Sequence, residues 1–93
     1  MQNTEKKATI KIIKSLGKII KKHRLRQNKT IYKISAECSM HKDSWRVIEK
    51  GLVNDIKISS LWKMAEGLDI LPADIVVEIQ NELGENFSVS GIK

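Results

Sequence analysis

The residues with metal-ligand spacing are Cys38 and His41, which form a single C-x-x-H pattern. A structural zinc site normally needs four ligands, and the only further histidine in the chain is His23. The sequence therefore predicts no metal site. A single cysteine also excludes an intramolecular disulfide, so Cys38 is interpreted as a small apolar residue on the inward face of a helix.

The sequence also lacks the residue patterns that are typical of an enzyme active site. No Ser/His/acid or Cys/His combination has a supporting sequence context, and the chain has neither a P-loop nor a glycine-rich dinucleotide-binding turn. The sequence therefore predicts a protein that is not an enzyme and that needs no cofactor.

Basic side chains are concentrated at one end of the chain. Residues 1–33 contain eleven Lys or Arg and one acid, whereas residues 34–93 contain six basic and ten acidic residues. Such a basic pole indicates a polyanionic partner, either nucleic acid or an anionic membrane surface. A purely solubilising segment is the plainer alternative. It is less favoured because the basic run continues into the helices expected to form a binding surface.

Length and composition predict a single all-α domain. The chain has 93 residues, of which 41% are hydrophobic and 30% are charged. These values are ordinary for a globular protein, and no segment alternates as a strand would. No signal peptide or membrane-spanning run is present. A cytoplasmic protein is therefore expected.

The elements that must position the charged residues centre on residues 30–51, which are predicted to form two short helices. Ile34 and Cys38 place an apolar stripe on the first helix, and Trp45 and Ile48 place one on the second. The intervening turn has about three residues, as a helix-turn-helix requires. The second helix is expected to begin at His41 or Lys42. Further signals mark the outer ends, with Thr30 as the N-cap of the first helix and Gly51 as the stop of the second.

Three longer helices are expected around this pair. A basic amphipathic helix should run from near residue 6 to Gln27, with Gly17 inside it. Ser59 or Ser60 should cap a fourth helix, whose inward face has the residues Leu61, Met64, Ala65 and Leu68. A fifth helix should open at Leu71-Pro72 and end at Gly84. Its apolar surface is wider than one small domain can readily cover, which favours a subunit contact.

Five segments carry a resemblance to a known family. They are L-G-K-I-I-K-K-H-R at 16–24, T-x-x-x-I-S at 30–35, M-H-K-D-S-W at 40–45, I-E-K-G at 48–51 and L-W-K-M-A-E-G-L-D-I-L-P-A-D-I at 61–75. In this order and spacing they resemble the DNA-binding domain of the phage lambda repressor and Cro-type (XRE-like) helix-turn-helix family. The resemblance covers roughly residues 15–83.

The resemblance implies a compact five-helix lambda-repressor-like domain at 15–83, with a basic N-terminal extension at 1–14 and a C-terminal tail at 84–93. It implies a dimeric, sequence-specific regulator of transcription, of the repressor kind, that binds double-stranded DNA. The third helix, at about 41–50, would enter the major groove.

The resemblance also assigns roles to individual residues. The matching base-contact positions are Lys42, Asp43, Ser44, Arg46 and Val47. The matching or neighbouring phosphate-contact positions are Lys29, Thr30, Tyr32, Lys33, Lys50, Asn54 and Lys57. Two positions keep a second interpretation: Asp43 as an acid that stabilises the helix dipole, and Tyr32 as a half-buried packing residue.

Two further sets follow from the resemblance. Arg24 and Glu49 stand where the family carries an ion pair that ties the first helix to the recognition helix. In the family the fifth helix often forms a two-fold dimer, and the corresponding interface residues here are Ile75, Val76, Ile79 and Leu83.

The chain also departs from the family pattern. Ile31 stands where a glutamine often holds a DNA phosphate, and Ser39 stands where a glycine often takes a positive φ. These departures, with an acid at Asp43, keep a second hypothesis open: an antitoxin-type protein-interaction module whose main partner is a protein such as a toxin. A third hypothesis is a peripheral membrane helix at residues 6–26, although that segment lacks aromatic anchors.

Overall fold

Five α-helices and no strands make up residues 2–91, the part of the chain that the computed structural model describes. The helices are α1 Gln2–Arg26, α2 Ile31–Glu37, α3 Lys42–Glu49, α4 Ile58–Leu68 and α5 Pro72–Leu83. The prediction of a compact all-α chain with five helices is confirmed. The predicted outer segments include Met1, Ile92 and Lys93, which lie outside the described residues.

Helix α1 is the element against which the other long helices pack. Its 25 residues correspond to about 37 Å, nearly the full 40 Å length of the molecule. Its inward residues Ile13, Leu16 and Ile20 are at most 1% exposed. Leu16 and Ile20 belong to one core cluster with apolar residues from all four other helices, including Ile34, Trp45, Met64, Leu68 and Ile75. The apolar stripes seen in the sequence therefore converge on one core.

The front of α1 is longer than the sequence indicated. The helix begins at Gln2 rather than near residue 6, and it continues unbroken through residue 14. Ala8 in this segment is only 6% exposed. It lines a surface cleft with Phe87 from the C-terminal tail. The basic extension is therefore a packed part of α1.

Four helices end with the same backbone turn. Asn28, Ser39, Gly51 and Asp69 all have a left-handed φ between 55° and 70°. In each turn the next amide N–H donates to the carbonyl five residues back, with N···O distances of 2.8–3.3 Å. This pattern is the Schellman motif. Ser39 therefore adopts the positive φ expected at its position, in a conformation that favours glycine.

The predicted caps of α4 were wrong. The helix begins at Ile58 with Lys57 as its N-cap, and no side chain caps it. The Lys57 carbonyl already accepts the N–H of Leu61 at 3.2 Å. Because this bond places the N-cap two residues before Ser59, both Ser59 and Ser60 lie inside the first turn of the helix.

Helix α5 begins and ends as the sequence predicts. Leu71 is the N-cap, Pro72 occupies the first helical position, and Gly84 follows the last residue with a φ of 89°. Proline lacks an N–H that a first-turn position leaves unpaired anyway, so it suits this site.

Candidate nucleic-acid interface

The two faces of α3 differ sharply in exposure. Trp45 is 0% exposed and Ile48 is 6% exposed, so both face the core as predicted. The five predicted base-contact residues lie on the rest of the helix surface. Four of them are exposed and Arg46 is intermediate: Lys42, Asp43, Ser44, Arg46 and Val47. The residues assigned to base reading therefore lie on the part of the α3 surface that the core does not cover.

The start of α3 is fixed by a histidine. Helix α3 begins at Lys42 with His41 as its N-cap, in agreement with the predicted start. The Nδ1 atom of His41 accepts a hydrogen bond from the N–H of Asp43 at 3.2 Å. This capping role was missed, because histidine is not among the usual N-cap residues.

Two of the predicted base-contact residues bind each other. Nη1 of Arg46 donates to Oδ1 of Asp43, one turn earlier on α3. The side chains remain 42% and 60% exposed. The pair neutralises the outward face of α3 locally, and a DNA contact by either residue has to compete with it. The i, i+3 spacing on a helix was the signal for this contact.

The back of α3 is held by the predicted ion pair. Arg24 donates from Nε to Glu49 Oε2 at 2.9 Å and from Nη2 to Oε1 at 2.6 Å. Its Nη1 donates to the Lys29 carbonyl at 2.8 Å. The two charged side chains are only 10% and 5% exposed. The hydrogen bonds that Arg24 donates to Glu49 raise the pKa of Arg24 above its ordinary value.

Trp45 adds a contact that the sequence reading missed. Its indole Nε1 donates to Glu49 Oε2 at 2.7 Å, across one turn of α3. Glu49 therefore accepts bonds from α1 and from its own helix. The i, i+4 spacing of the two residues on α3 could have suggested this contact.

Gly17 allows the backbones of α1 and α3 to approach closely. A Cβ atom at this position would lie 2.5 Å from the Glu49 carbonyl oxygen and 2.8 Å from that of Ile48. No side chain fits such a gap, so glycine is required for this crossing. Glycine inside a helix costs about 1 kcal/mol relative to alanine. The close packing against the end of α3 offsets this cost.

The predicted phosphate-contact residues at α2 differ in whether their side chains already have a partner. Thr30 caps α2 as predicted, with its hydroxyl oxygen accepting the Lys33 N–H at 3.1 Å. Tyr32 is 72% exposed, which excludes the half-buried packing interpretation. Nζ of Lys29 lies 2.7 Å from Glu37 Oε1, and this hydrogen bond lowers the pKa of the Glu37 carboxyl. Tyr32 and Lys33 are therefore open to a ligand, whereas Lys29 is already paired.

Two shallow clefts flank α3 and show which predicted residues meet. One, of about 270 Å³, brings Tyr32 of α2 beside His41 and Lys42 at the start of α3. The other, of about 290 Å³, brings Arg46 beside Lys50 at the end of α3. Asn54 and Lys57 are exposed in the following loop and line neither of these clefts.

The second cleft contains a residue that the sequence reading missed. Lys21 of α1 lines it with Arg46 and Lys50, and Ile31 lies in the same cleft. Lys21 precedes Arg24 by three residues, so it lies on the same side of α1 as the ion pair with α3. The three-residue spacing from Arg24 was the sequence signal that could have identified Lys21.

The predicted dimer residues on α5 divide into two groups. Ile75 is 0% exposed and belongs to the core, so its assignment to a subunit contact was wrong. An i, i+4 stripe rotates around a helix, and Ile75 is where this stripe faces α1 and α4. Ile79 and Leu83 are half-buried. Val76 is 46% exposed, and the neighbouring Val77 is 48% exposed.

An apolar groove of about 490 Å³ runs beside these residues. Its lining includes residues of α1, α5, the loop before α4 and the C-terminal tail: Ile12, Ile56, Val76, Ile79, Leu83 and Phe87. The surplus apolar surface inferred from the sequence of α5 is therefore present on the folded chain.

Ion pairs also join α1 to α5. Glu78 accepts from Lys22 Nζ at 2.8 Å and lies 2.7 Å from His23 Nε2. Lys18 Nζ lies 3.1 Å from Glu82 Oε1. The bond from Lys22, with the bond from His23, lowers the pKa of the Glu78 carboxyl.

Metal and membrane chemistry receive no structural support within residues 2–91. No group of three or more His, Cys, Asp or Glu side chains is placed to hold a metal ion. None of the helices has the length and hydropathy needed to cross a bilayer. Cys38 is buried, which raises the pKa of its thiol and keeps it in the unreactive protonated form.

Comparisons with protein-family models, with curated proteins and with solved structures found no match.

Proposed function

We propose that the protein is a sequence-specific, double-stranded DNA-binding regulator of transcription with a lambda-repressor-like helix-turn-helix. The supporting observation is that α3 presents all five assigned base-contact residues outward while Trp45 and Glu49 anchor its back. An α-helix with its side chains is about 10–12 Å in diameter, and the major groove of B-DNA is about 12 Å wide. A short, anchored helix with a polar outward face suits insertion there.

The proposed base contacts follow from side-chain chemistry. Lys42 and Arg46 can donate to the O6 and N7 atoms of guanine, and the Val47 methyl groups can contact the thymine methyl. Ser44 can reach a base or a phosphate. Asp43 can accept from cytosine N4, but its bond to Arg46 favours a role in orienting that arginine.

The proposed phosphate contacts flank α3 on both sides. On the α2 side, the first-turn amides of α2 with Tyr32 and Lys33 take the place of the glutamine that Ile31 replaces. On the other side, Lys50 and Lys21 share a cleft with Arg46. Phosphate contacts at both edges of the inserted helix would fix its register on the duplex.

We further propose that the regulator is a two-fold dimer that uses the outward surface of α5. Val76, Val77, Ile79 and Leu83 supply apolar area beside the groove, and a symmetric contact would cover it. The two α3 helices of such a dimer would contact successive turns of the major groove. The expected operator is therefore nearly palindromic.

An antitoxin-type protein-interaction module is the second candidate. The apolar groove favours it, because a partner protein could occupy that surface instead of a second copy. The neutral Asp43–Arg46 pair on α3 also weakens the case for base reading.

The membrane hypothesis for residues 6–26 loses its physical basis. Ile13, Leu16 and Ile20 form the apolar side of this helix, and they are buried in the core. The large apolar residues of this segment that stay exposed are Ile10 at 40% and Leu25 at 53%. They lie fifteen residues apart, so they do not form the continuous apolar face that a bilayer surface requires.

The test is selection of duplexes from a random pool at physiological salt, with wild type, Arg46→Ala and Lys63→Ala side by side. Lys63 is an exposed basic residue on α4, so its variant controls for loss of one charge. We expect a near-palindromic motif that weakens or relaxes only in Arg46→Ala. Retention without an enriched motif would contradict specific reading, and no retention would favour the protein-interaction candidate.

A further inference from the structure

The lysines of α1 form two groups with different surroundings. Lys18 and Lys22 pair with acids of α5, at 3.1 and 2.8 Å. A second group has no ion pair within residues 2–91. Its exposed members are Lys6, which lies about 100° away from Lys7 around the helix, and a set on one side of the helix: Lys7, Lys11, Lys14 and Lys21. Only this second group retains uncompensated positive charge.

Apart from Lys6, the unpaired group follows one side of the helix. Lys7, Lys14 and Lys21 are seven residues apart, which is close to two helical turns, and Lys11 falls between the first two. The rise of 1.5 Å per residue places Lys7 about 10 Å from Lys14 along the helix axis. We call Lys7, Lys11 and Lys14 the lysine row.

The lysine row leads away from the end of α3. Lys21 shares a cleft with Arg46 and Lys50. Two turns earlier, Lys14 contacts the turn that ends α3, since a Cβ on Gly51 would lie 3.4 Å from the Cα of Lys14. The N-terminal part of α1 therefore continues beyond the base-reading helix on the side where phosphate contacts are proposed.

The front of α1 is packed well enough to hold this row in place. Ala8 is 6% and Ile13 is 1% exposed, so two residues of the same segment are anchored in the fold. Lys7 and Lys11 line a cleft with Phe87 of the C-terminal tail. Their charges are carried on an ordered helix.

We propose that the lysine row binds the DNA phosphate backbone outside the base pairs contacted by α3. This inference rests on the proposed function and adds to it a second, sequence-independent contact. A row about 10 Å long matches the rise of about three base pairs, at 3.4 Å per phosphate on each strand. We favour a duplex over a bilayer as the ligand of this row, because the apolar side of α1 is buried.

The test measures how binding falls with salt concentration for three proteins. They are wild type, the row variant Lys7→Gln/Lys14→Gln and the matched control Lys18→Gln/Lys22→Gln, which removes the same charge from paired positions. The probes are the selected site alone, the site with ten extra base pairs on each side, and a random-sequence duplex of the longer length. Circular dichroism establishes that each variant keeps its helix content.

We expect the row variant to lower the slope of log K against log salt by about 1.8 per protomer on the longer duplexes, at about 0.9 per lost phosphate contact. The slope on the short site and the selected motif should stay unchanged, and the control should follow wild type. Equal slopes for wild type and the row variant on all probes would overturn the inference while leaving α3 reading intact.

The same data separate this inference from the proposed function. If no motif is selected but the row variant still lowers the slope, specific reading fails and the backbone contact stands. If wild type binds no duplex, both fail. Binding of wild type to phosphatidylserine vesicles that is lost in the row variant, with unchanged duplex binding, would reassign the row to a membrane.

Discussion

Trp45 Nε1 and Arg24 Nε donate to the same carboxylate oxygen of Glu49, at 2.7 and 2.9 Å. The buried carboxylate of Glu49 therefore joins the C-terminal end of α3 to α1. It also fixes the Trp45 indole at the centre of the core. The position of the outward face of α3 depends on this oxygen, although Glu49 itself is turned away from that face.

Glu49→Ala should destabilise the fold by about 3 kcal/mol, because it leaves the Arg24 guanidinium buried without its acid. Urea unfolding measures the change. The control is Glu37→Ala, which breaks an exposed pair with Lys29 and should destabilise the fold much less. Similar losses of unfolding free energy in the two variants would show that the burial of Glu49 does not increase its contribution to stability.

Gly17→Ala should also destabilise, by about 1–3 kcal/mol, because the new Cβ has to displace the Glu49 carbonyl oxygen. Intrinsic helix propensity acts in the opposite direction and would favour alanine by about 1 kcal/mol. Thermal and urea unfolding decide which effect dominates. Asn81→Ala on the exposed side of α5 is the control, and it should be neutral or slightly stabilising. A stabilised Gly17→Ala would contradict the close helix crossing.

Ser39→Gly should stabilise the protein by about 1 kcal/mol, because serine at this turn has a φ of 59° that glycine adopts more easily. Ser39→Ala is the matched control, since alanine keeps the steric cost of the left-handed conformation. The comparison uses the midpoint of urea unfolding. Equal midpoints for the glycine and alanine variants would mean that the turn is not strained.

The core and the short helices α2 and α3 were predictable because their signals are local. The spacing of Ile34 and Cys38, or of Trp45 and Ile48, determines which side of each short helix is buried. The Thr30 cap of α2 and the first-turn position of Pro72 in α5 depend only on the adjacent backbone, and both were predicted. The Arg24–Glu49 pair came from the family resemblance.

The misses concern contacts that depend on tertiary geometry. Ile75 was assigned to a subunit contact because helical periodicity shows an apolar stripe without showing which helix covers it. The contribution of Lys21 depends on the angle at which α1 crosses α3, which no local pattern contains. The Asp43–Arg46 bond depends on side-chain rotamers, so its spacing alone did not decide between a partner on α3 and a base.

Glu78 should make stability pH-dependent below neutral pH. Its pKa is lowered in the folded state by Lys22 and His23, from an ordinary value of 4.5. A lowered folded-state pKa stabilises the fold above the unfolded-state value, and the stabilisation is lost as pH falls through the folded-state pKa. The free energy of unfolding of wild type should therefore drop more than that of Glu78→Gln below pH 4.5.

The difference for Glu78 should be no more than about 1 kcal/mol, since the pair is partly exposed. Urea unfolding at several pH values between neutral and acidic conditions gives the two curves. Glu66→Gln, at an exposed acid on α4, controls for the general effect of removing one acid. Parallel curves for wild type and Glu78→Gln would argue against a stabilising Lys22–Glu78–His23 cluster.

Asp43→Asn should strengthen duplex binding several-fold and broaden the selected motif. The change removes a negative charge near the proposed phosphate path and weakens the hold on Arg46, so backbone attraction rises while the orientation of the arginine is lost. The measurement is affinity for the selected site and for a random duplex at one salt concentration.

Glu66→Gln changes net charge by the same amount on an exposed surface of α4, so it separates the local effect from the global one. If Asp43 itself accepts from a cytosine, Asp43→Asn should instead lower affinity for the selected site. The specificity would then change at one base position, and the affinity for random duplex would still rise. The sign of the change at the selected site therefore decides whether Asp43 reads a base or orients Arg46.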